Sequence, residues 1–406
     1  MSRNVDLRAG VGSALPENGY RPELQALRAL AVVAVVINHS WPGLAPGGYL
    51  GVDIFFVVSG FLITRQLVRE RERTGRIALG RFYLRRARRL LPAAMVVLLT
   101  IALLAYLYVP QREWHAWFGQ LGASALYVQN WVMAASSVEP TALMHFWSLS
   151  VEEQFYLAWP LLVIAAAAVA VAVGRSARLI LVAIVVVVIV ASLTHWIVVT
   201  ASNYELGYFS TLSRAWEFAA GGLLALLPGR LPLGQRGRAI LLWAGLGAVV
   251  ASILLVGPDQ SHALIVVPVI GTATIIVASN AGVPRSARGL VGAAPVQWLG
   301  DISYALYLWH WPVLIFAPLI TGVPSESWFM VLLLALAVAL SWGTTRFVEN
   351  PVRRVPLAGG PRILRIGIGV AVVAGLVATV GIAELGSAAR PVTDVACIER
   401  VVMRVD

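Results

Sequence analysis

The sequence predicts an all-α polytopic membrane protein of about eleven transmembrane helices, with the N-terminus inside and the C-terminus outside. Three observations point there. Of the 406 residues, 59 % are hydrophobic and only 13 % charged, against roughly 45–50 % and about 25 % in soluble domains. The mean hydropathy is +0.80. The apolar residues also come in runs long enough to cross a bilayer, which takes about 20 residues at about 1.5 Å rise each. An ordinary soluble enzyme, a disordered chain and a coiled coil are excluded.

Residues 1–22 are polar and lack the apolar core of a signal peptide, so they are read as a cytoplasmic segment and the first run as an uncleaved anchor. Apolar runs then fall near 25–41, 48–68, 88–109, 114–134, 148–173, 178–199, 208–228, 239–256, 262–280, 294–320, 327–348 and 364–384. Residues 65–89 hold ten Arg and are assigned to the cytoplasm, whereas the loop at 42–48 has none and is assigned outside. If all twelve runs crossed, the Arg clusters near 175–178, 230–238, 285–288 and 353–365 would lie outside. If 114–134 does not cross, every one of them falls inside, as the positive-inside rule requires. That run also carries His115, Gln120, Gln129 and Asn130 among interfacial aromatics, so it is read as re-entrant or lying on the outer surface. The division expected is a cytoplasmic segment 1–22, a membrane domain 23–355, a final transmembrane helix 356–386 and an extracytoplasmic tail 387–406.

The net charge is +11, and every basic residue is Arg. With the heavy use of Ala and Val, this fits a GC-rich bacterial genome. The Arg residues cluster beside hydrophobic segments, which points to orientation in the membrane rather than to nucleic acid. The single cysteine, Cys397, lies in the tail and cannot form an internal disulfide.

Ionisable side chains inside spans cost roughly 2.5–3.5 kcal/mol each on insertion scales, so they are functional candidates by default. Here they are Arg28, His39, Asp53, Glu152, Glu153, Arg214, Glu217, Asp301, His310 and Arg346. The topology sorts them into a basic inner mouth beneath a mixed acid–base chamber. Arg28 and His39 stand eleven residues apart on one helix, nearly on the same face and about 16 Å apart along its axis. A snorkelling Arg and an unrelated hydrogen-bonded His would give the same spacing. The stretch Arg85-Arg86-Ala87-Arg88-Arg89 suits bidentate phosphate binding, although a stop-transfer charge block would look alike. Glu152 and Tyr156 share a helical face, with a structural ion pair to Arg214 as the plainer reading. Arg214 and Glu217, three apart, are read as neutralising one another.

No His is followed five residues later by Asp, and there is no G-x-S-x-G elbow, Walker loop, HExxH or Cys/His metal set. Composition and depth alone leave an enzyme and a transporter open.

The motifs, taken in order, resemble the acyltransferase-3 family of membrane O-acyltransferases across roughly residues 20–355. They are Tyr20-Arg21-Pro22-Glu23-Leu24-Gln25-Ala26-Leu27-Arg28, the Arg28/His39 pair, GVDIFFVVSGFLIT (51–64), RFYLRRARRLLP (81–92), FWSLSVEEQFYLAWP (146–160), ISYALYLWHWPV (302–313) and FVENPVRR (347–354). The resemblance implies transfer of an acyl group, usually acetyl, from a CoA thioester to a hydroxyl of a surface glycan, glycolipid or exported metabolite. It implies that His39 is catalytic and that the R-x-x-R element Arg86/Arg89 binds the donor. Many relatives continue into an extracytoplasmic SGNH esterase-like domain, of which the tail 387–406 is read as a possible start.

The expected mechanism follows. Acyl-CoA docks from the cytoplasm with its phosphates on Arg86 and Arg89, joined by Arg28, Arg85 and Arg88. Its phosphopantetheine arm reaches His39, a general base or acyl carrier whose unperturbed pKa of about 6.5 suits the task. Glu152, before Asp53, is expected to orient His39. Tyr304 or His310 is expected to stabilise the oxyanion, and Glu153 and Arg214 to line the acceptor side. No metal is implied, and the protein is assigned to the bacterial inner or plasma membrane. The rival reading is a transporter or flippase of a lipid-linked sugar.

Overall fold

A computed structural model describes residues 20–135, 141–227, 232–257, 262–323 and 327–354. The N-terminal segment, the run near 364–384 and Cys397 lie outside these residues. The chain folds into α1 (Pro22–Ser40), α2 (Gly51–Thr74), α3 (Leu79–Tyr108), α4 (Trp114–Ala125), α5 (Gln129–Ala135), α6 (Phe146–Ala172), α7 (Ala177–Ser202), α8 (Tyr204–Phe209) and α9 (Thr211–Leu226). It continues with α10 (Gln235–Leu255), α11 (Val266–Ala278), α12 (Arg288–Val291), α13 (Ala294–Thr321), α14 (Ser327–Thr344) and α15 (Asn350–Arg354), the last two joined by a π-helical turn at Thr345–Glu349. No strand occurs among the described residues.

Seven stretches among the described residues are long and apolar enough to cross a bilayer: those of α2, α3, α6, α7, α10, α13 and the α14–α15 run. The eleven crossings expected exceed that number. Helix α1 has 19 residues and carries Glu23, Arg28 and His39. Helices α9 and α11 have 16 and 13 residues, below the roughly 20 of a full crossing.

Run 114–134 is not one helix. It divides into α4, of 12 residues, and α5, of 7, with Tyr127 at φ 55° between them. Its polar residues face protein: Gln129 donates to Gln120 Oε1 at 2.9 Å and Asn130 to the Phe209 carbonyl at 3.1 Å. Run 208–228 is likewise broken at Ser210, and Asn203 caps the short α8 by accepting from the Leu206 N–H at 2.9 Å.

Helix α1 lies against α2 and α13, and α2 lies against α9. Small residues set these distances. A Cβ on Gly60 would overlap the Phe218 carbonyl, and one on Gly221 would overlap that of Val57. The α2 and α9 backbones therefore touch, as in small-residue packing of membrane helices. Around them Phe56, Phe155 and Phe218 stack, with ring centroids 4.4 Å and 4.3 Å apart. The hairpin between α2 and α3 turns at Gly75, φ 72°, and brings the Arg-rich ends of both helices together at the end of the bundle where α1 begins.

Candidate active site

Helix α1 runs unbroken from Pro22 to Ser40, so one rod carries Arg28 in its second turn and His39 in its last. At the Arg end, a wide open vestibule is lined by Arg21, Arg65, Arg69, Arg73, Arg81, Arg85, Arg86 and Arg89, with Glu70. It meets a second, much narrower cavity at Leu62, Arg86 and Arg89, which line both. Arg28 also faces the inner cavity, and its Nη1 donates to Gln25 Oε1 at 2.9 Å. Among the described residues, none of Arg28, Arg86 and Arg89 has a carboxylate oxygen within 4.0 Å. Three guanidinium groups with no carboxylate partner among the described residues thus line one space, an arrangement whose chemistry suits an anion.

The five-residue Arg block divides by face. Arg86 and Arg89 look into the cavity, Arg86 with its guanidinium 4.5 Å from the Tyr156 ring centre. Arg85 lines only the vestibule and pairs with Glu70 at 3.2 Å. Arg88, expected with them, is buried; it donates to the Val352 carbonyl at 2.6 Å and to that of Arg353 at 3.4 Å. Its donors are committed to fastening α15 to α3.

The cavity climbs along one face of α6, where Ser148, Glu152 and Tyr156 recur every four residues. Glu152 Oε1 accepts from both the Ser59 and Tyr156 hydroxyls. It does not touch His39. Toward the other end, the cavity is lined by Ser148 and Tyr307, whose hydroxyls are 2.6 Å apart, and Tyr307 donates to the His145 carbonyl at 3.1 Å; His39 is not among the lining residues. Ser59, Ser148 and Tyr307 each lie within a quoted motif, but as neutral residues they do not stand out among the intramembrane ionisable groups. Tyr304 lines the cavity, but its hydroxyl donates to the Leu90 carbonyl at 3.0 Å.

His39 meets His310 and Trp311 of α13. Its Nδ1 lies 3.0 Å from His310 Nε2, the two rings are parallel within 4°, and Trp311 packs on His39 with centroids 4.7 Å apart. The residue beside His39 is thus His310, rather than Glu152 or Asp53. His145 approaches the same group, its ring centre 5.6 Å from that of His310.

Asp53 and Arg214 are brought together, but with Glu217. Arg214 Nη1 donates to Asp53 Oδ1 and to Glu217 Oε1, each at 2.9 Å, and all three side chains are buried. Arg214 also lies over the Tyr208 ring at 4.5 Å and donates from Nε to the Tyr208 carbonyl at 2.8 Å. One guanidinium thereby ties α2, α8 and α9 together. The Glu153 side chain makes no hydrogen bond among the described residues. Among those residues, no three His, Cys, Asp or Glu side chains converge as a metal site would require.

A family model described as an acyltransferase domain matches residues 21–346. The peptidoglycan O-acetyltransferase OatA of Listeria monocytogenes serovar 1/2a is 30 % identical over 358 residues, which cover 82 % of this chain and 56 % of that protein. The O-acetyltransferase OatA of Staphylococcus aureus strain NCTC 8325 is 31 % identical over 356 residues, covering 82 % and 57 %. The putative peptidoglycan O-acetyltransferase YrhL of Bacillus subtilis strain 168 is 28 % identical over 360 residues, covering 82 % and 55 %. The matched stretch is thus little more than half the length of these relatives. No solved structure matches.

Proposed function

The chain belongs to the acyltransferase-3 family, and from that premise we propose that it is a multi-pass membrane O-acyltransferase. It carries an acetyl group from cytoplasmic acetyl-CoA to a hydroxyl of an extracytoplasmic glycan, and its named relatives make peptidoglycan the first acceptor to test. The membrane is the bacterial plasma membrane, and the vestibule opens to the cytoplasm.

One observation carries this reading: Arg86 and Arg89 belong to two adjoining spaces at once. A nucleotide-bearing donor has several phosphates and one narrow, uncharged arm. The wide Arg-lined vestibule suits the former. The narrower inner cavity, with Arg28 at its base and Ser148 and Tyr307 at its far end, suits the latter. A sugar flippase would need a path wide enough for the sugar, whereas the inner cavity is a mostly apolar slot narrower than the vestibule.

In the reaction, Arg86, Arg89 and Arg28 hold the phosphate end through charge-assisted hydrogen bonds. His39 removes the proton of the acceptor hydroxyl as its oxygen attacks the thioester carbonyl, and then protonates the departing sulfur. The product is an ester and free CoA thiol. The Ser148 and Tyr307 hydroxyls, 2.6 Å apart, are the neutral polar groups the cavity offers beside a thioester; with the Tyr307 proton directed to the His145 carbonyl, Ser148 is the one free to turn toward a developing oxyanion. Purified protein given acetyl-CoA and solubilised peptidoglycan fragments is expected to release free thiol in step with ester formation, and His39→Ala to abolish both. Movement of a lipid-linked sugar across vesicles with no thiol release would favour transport instead.

A further inference from the structure

His310 is 0 % exposed and makes two contacts through its ring nitrogens. Nδ1 lies 3.1 Å from the Leu306 carbonyl oxygen. A carbonyl has lone pairs and no proton, so His310 Nδ1 is the donor there. A neutral imidazole carries a single N–H, which leaves His310 Nε2 as a bare acceptor. That atom lies 3.0 Å from His39 Nδ1, so His39 Nδ1 is the donor in turn. One backbone carbonyl therefore fixes the proton on both rings. The remaining nitrogen, His39 Nε2, has no proton and no hydrogen-bond partner among the described residues, and the residue is only half-buried.

From this chain of donors we infer that His310 is a positioning residue: it holds His39 in the Nδ1–H tautomer and so makes Nε2 the nitrogen that takes the acceptor's proton. The inference rests on the reading of His39 as the general base. Ring rotation, which would exchange the two nitrogens, is opposed by Trp311, tilted 56° against the His39 ring and held by its own Nε1 bond to the Thr141 carbonyl at 2.9 Å. The groups facing the pair are Trp311 and His145, with Tyr307 against His310. Among the described residues, none of these groups is a carboxylate.

The proton balance is closed. The acceptor O–H bond breaks as its oxygen bonds the thioester carbon, and the proton goes to His39 Nε2. The C–S bond then breaks and the same proton passes to the sulfur. Nδ1–H stays in place throughout. While His39 is an imidazolium, its bond to His310 Nε2 becomes charge-assisted and about twice as strong as a neutral one. The contact is stronger in the transition state than in the resting enzyme, the condition for raising kcat.

The experiment has two arms on the full chain in detergent. Solid-state 15N spectra of histidine-labelled protein, with His39 assigned by the signal lost in His39→Ala, are expected to show His39 protonated at Nδ1 alone. The kinetic arm uses acetyl-CoA with solubilised peptidoglycan fragments and compares His310→Phe, which offers no acceptor, with His310→Gln, whose amide oxygen does. The acetyl-CoA KM is expected to stay constant in both. The kcat is expected to fall about 10²-fold in His310→Phe, with partial recovery in His310→Gln. A His39 signal protonated at Nε2 overturns the inference even if neither variant folds. So does a folded His310→Phe with normal kcat. Transfer that survives His39→Ala refutes the underlying reading, whereas loss in His39→Ala with normal turnover in His310→Phe refutes only the role of His310.

Discussion

His145 gives its Nε2 proton to the Leu308 carbonyl at 3.1 Å, and Leu308 is the residue whose carbonyl Pro312 leaves without a helical donor. A proline four residues on has no N–H to return, and in an apolar interior an orphaned carbonyl is costly. The His-Trp-Pro sequence at 310–312 thus does two things. It sets His310 against His39, and it opens a docking point that ties the start of α6 to the middle of α13.

His145→Phe is accordingly expected to destabilise the protein by about 1–3 kcal/mol, the usual cost of a stranded buried acceptor. Adding Pro312→Ala supplies the missing N–H and should recover part of that loss. Thermal unfolding of the two single variants and the double variant in detergent tests this. Strictly additive losses would show that the Leu308 carbonyl is not the link.

The Arg block yields a separation of stability from binding. Arg88→Ala removes donors to the Val352 and Arg353 carbonyls, at a cost of about 1.5–3 kcal/mol for hydrogen bonds from a charged group. Its acetyl-CoA KM, measured on the folded fraction, should be unchanged. Arg86→Ala with Arg89→Ala should do the reverse: near-normal unfolding temperature and a raised KM. The rise should shrink at high salt, where the native clamp is itself weakened by screening. A raised KM in Arg88→Ala alone would return that residue to the donor site.

The Arg214 cluster is expected to behave as a structural joint. Arg214→Met leaves Asp53 and Glu217 buried without their cation, and breaking such a group typically costs about 3–5 kcal/mol. Asp53→Asn leaves Glu217 to neutralise Arg214 and should be much milder. Unfolding temperatures and membrane yield give the order. If folded Asp53→Asn has native stability and no transfer activity, Asp53 belongs with His39 after all.

The sequence pattern carried the helices far better than the contacts between them. Hydrophobic runs located α2, α3, α6, α7, α10 and α13, because each must be apolar over a bilayer's width whatever it packs against. The break at Tyr127 and the break at Ser210 were not legible, since both depend on partners supplied from elsewhere in the chain. Motif order pointed to His39, Arg86 and Arg89. It did not separate Arg88 from them, because the direction a guanidinium takes on α3 depends on where α15 docks, 264 residues later. His310 was likewise visible as an intramembrane histidine, but its partner lies 271 residues away. Depth alone pairs Glu152 with His39. Its hydroxyl partners show a different address.

That address makes Glu152 a test with opposite signs. Both hydroxyls, from Ser59 and Tyr156, bond to the same oxygen, Oε1. Glu152→Gln keeps a carbonyl oxygen in that position and removes only the charge, so both hydrogen bonds survive. The carboxylate shares its cavity with Arg28, Arg86 and Arg89, where it repels an incoming phosphate. Charges some 8 Å apart interact by about 2 kcal/mol at an effective dielectric constant near 20, before screening. Removing that repulsion should lower the acetyl-CoA KM by roughly three- to tenfold and leave kcat within a factor of about two, the pattern of uniform binding. Glu152→Ala also frees both hydroxyls, and with them the Tyr156 ring on which Arg86 rests at 4.5 Å. There KM should rise instead. A drop of about 10²-fold in kcat for Glu152→Gln, with KM unchanged, would place the carboxylate in the proton transfer.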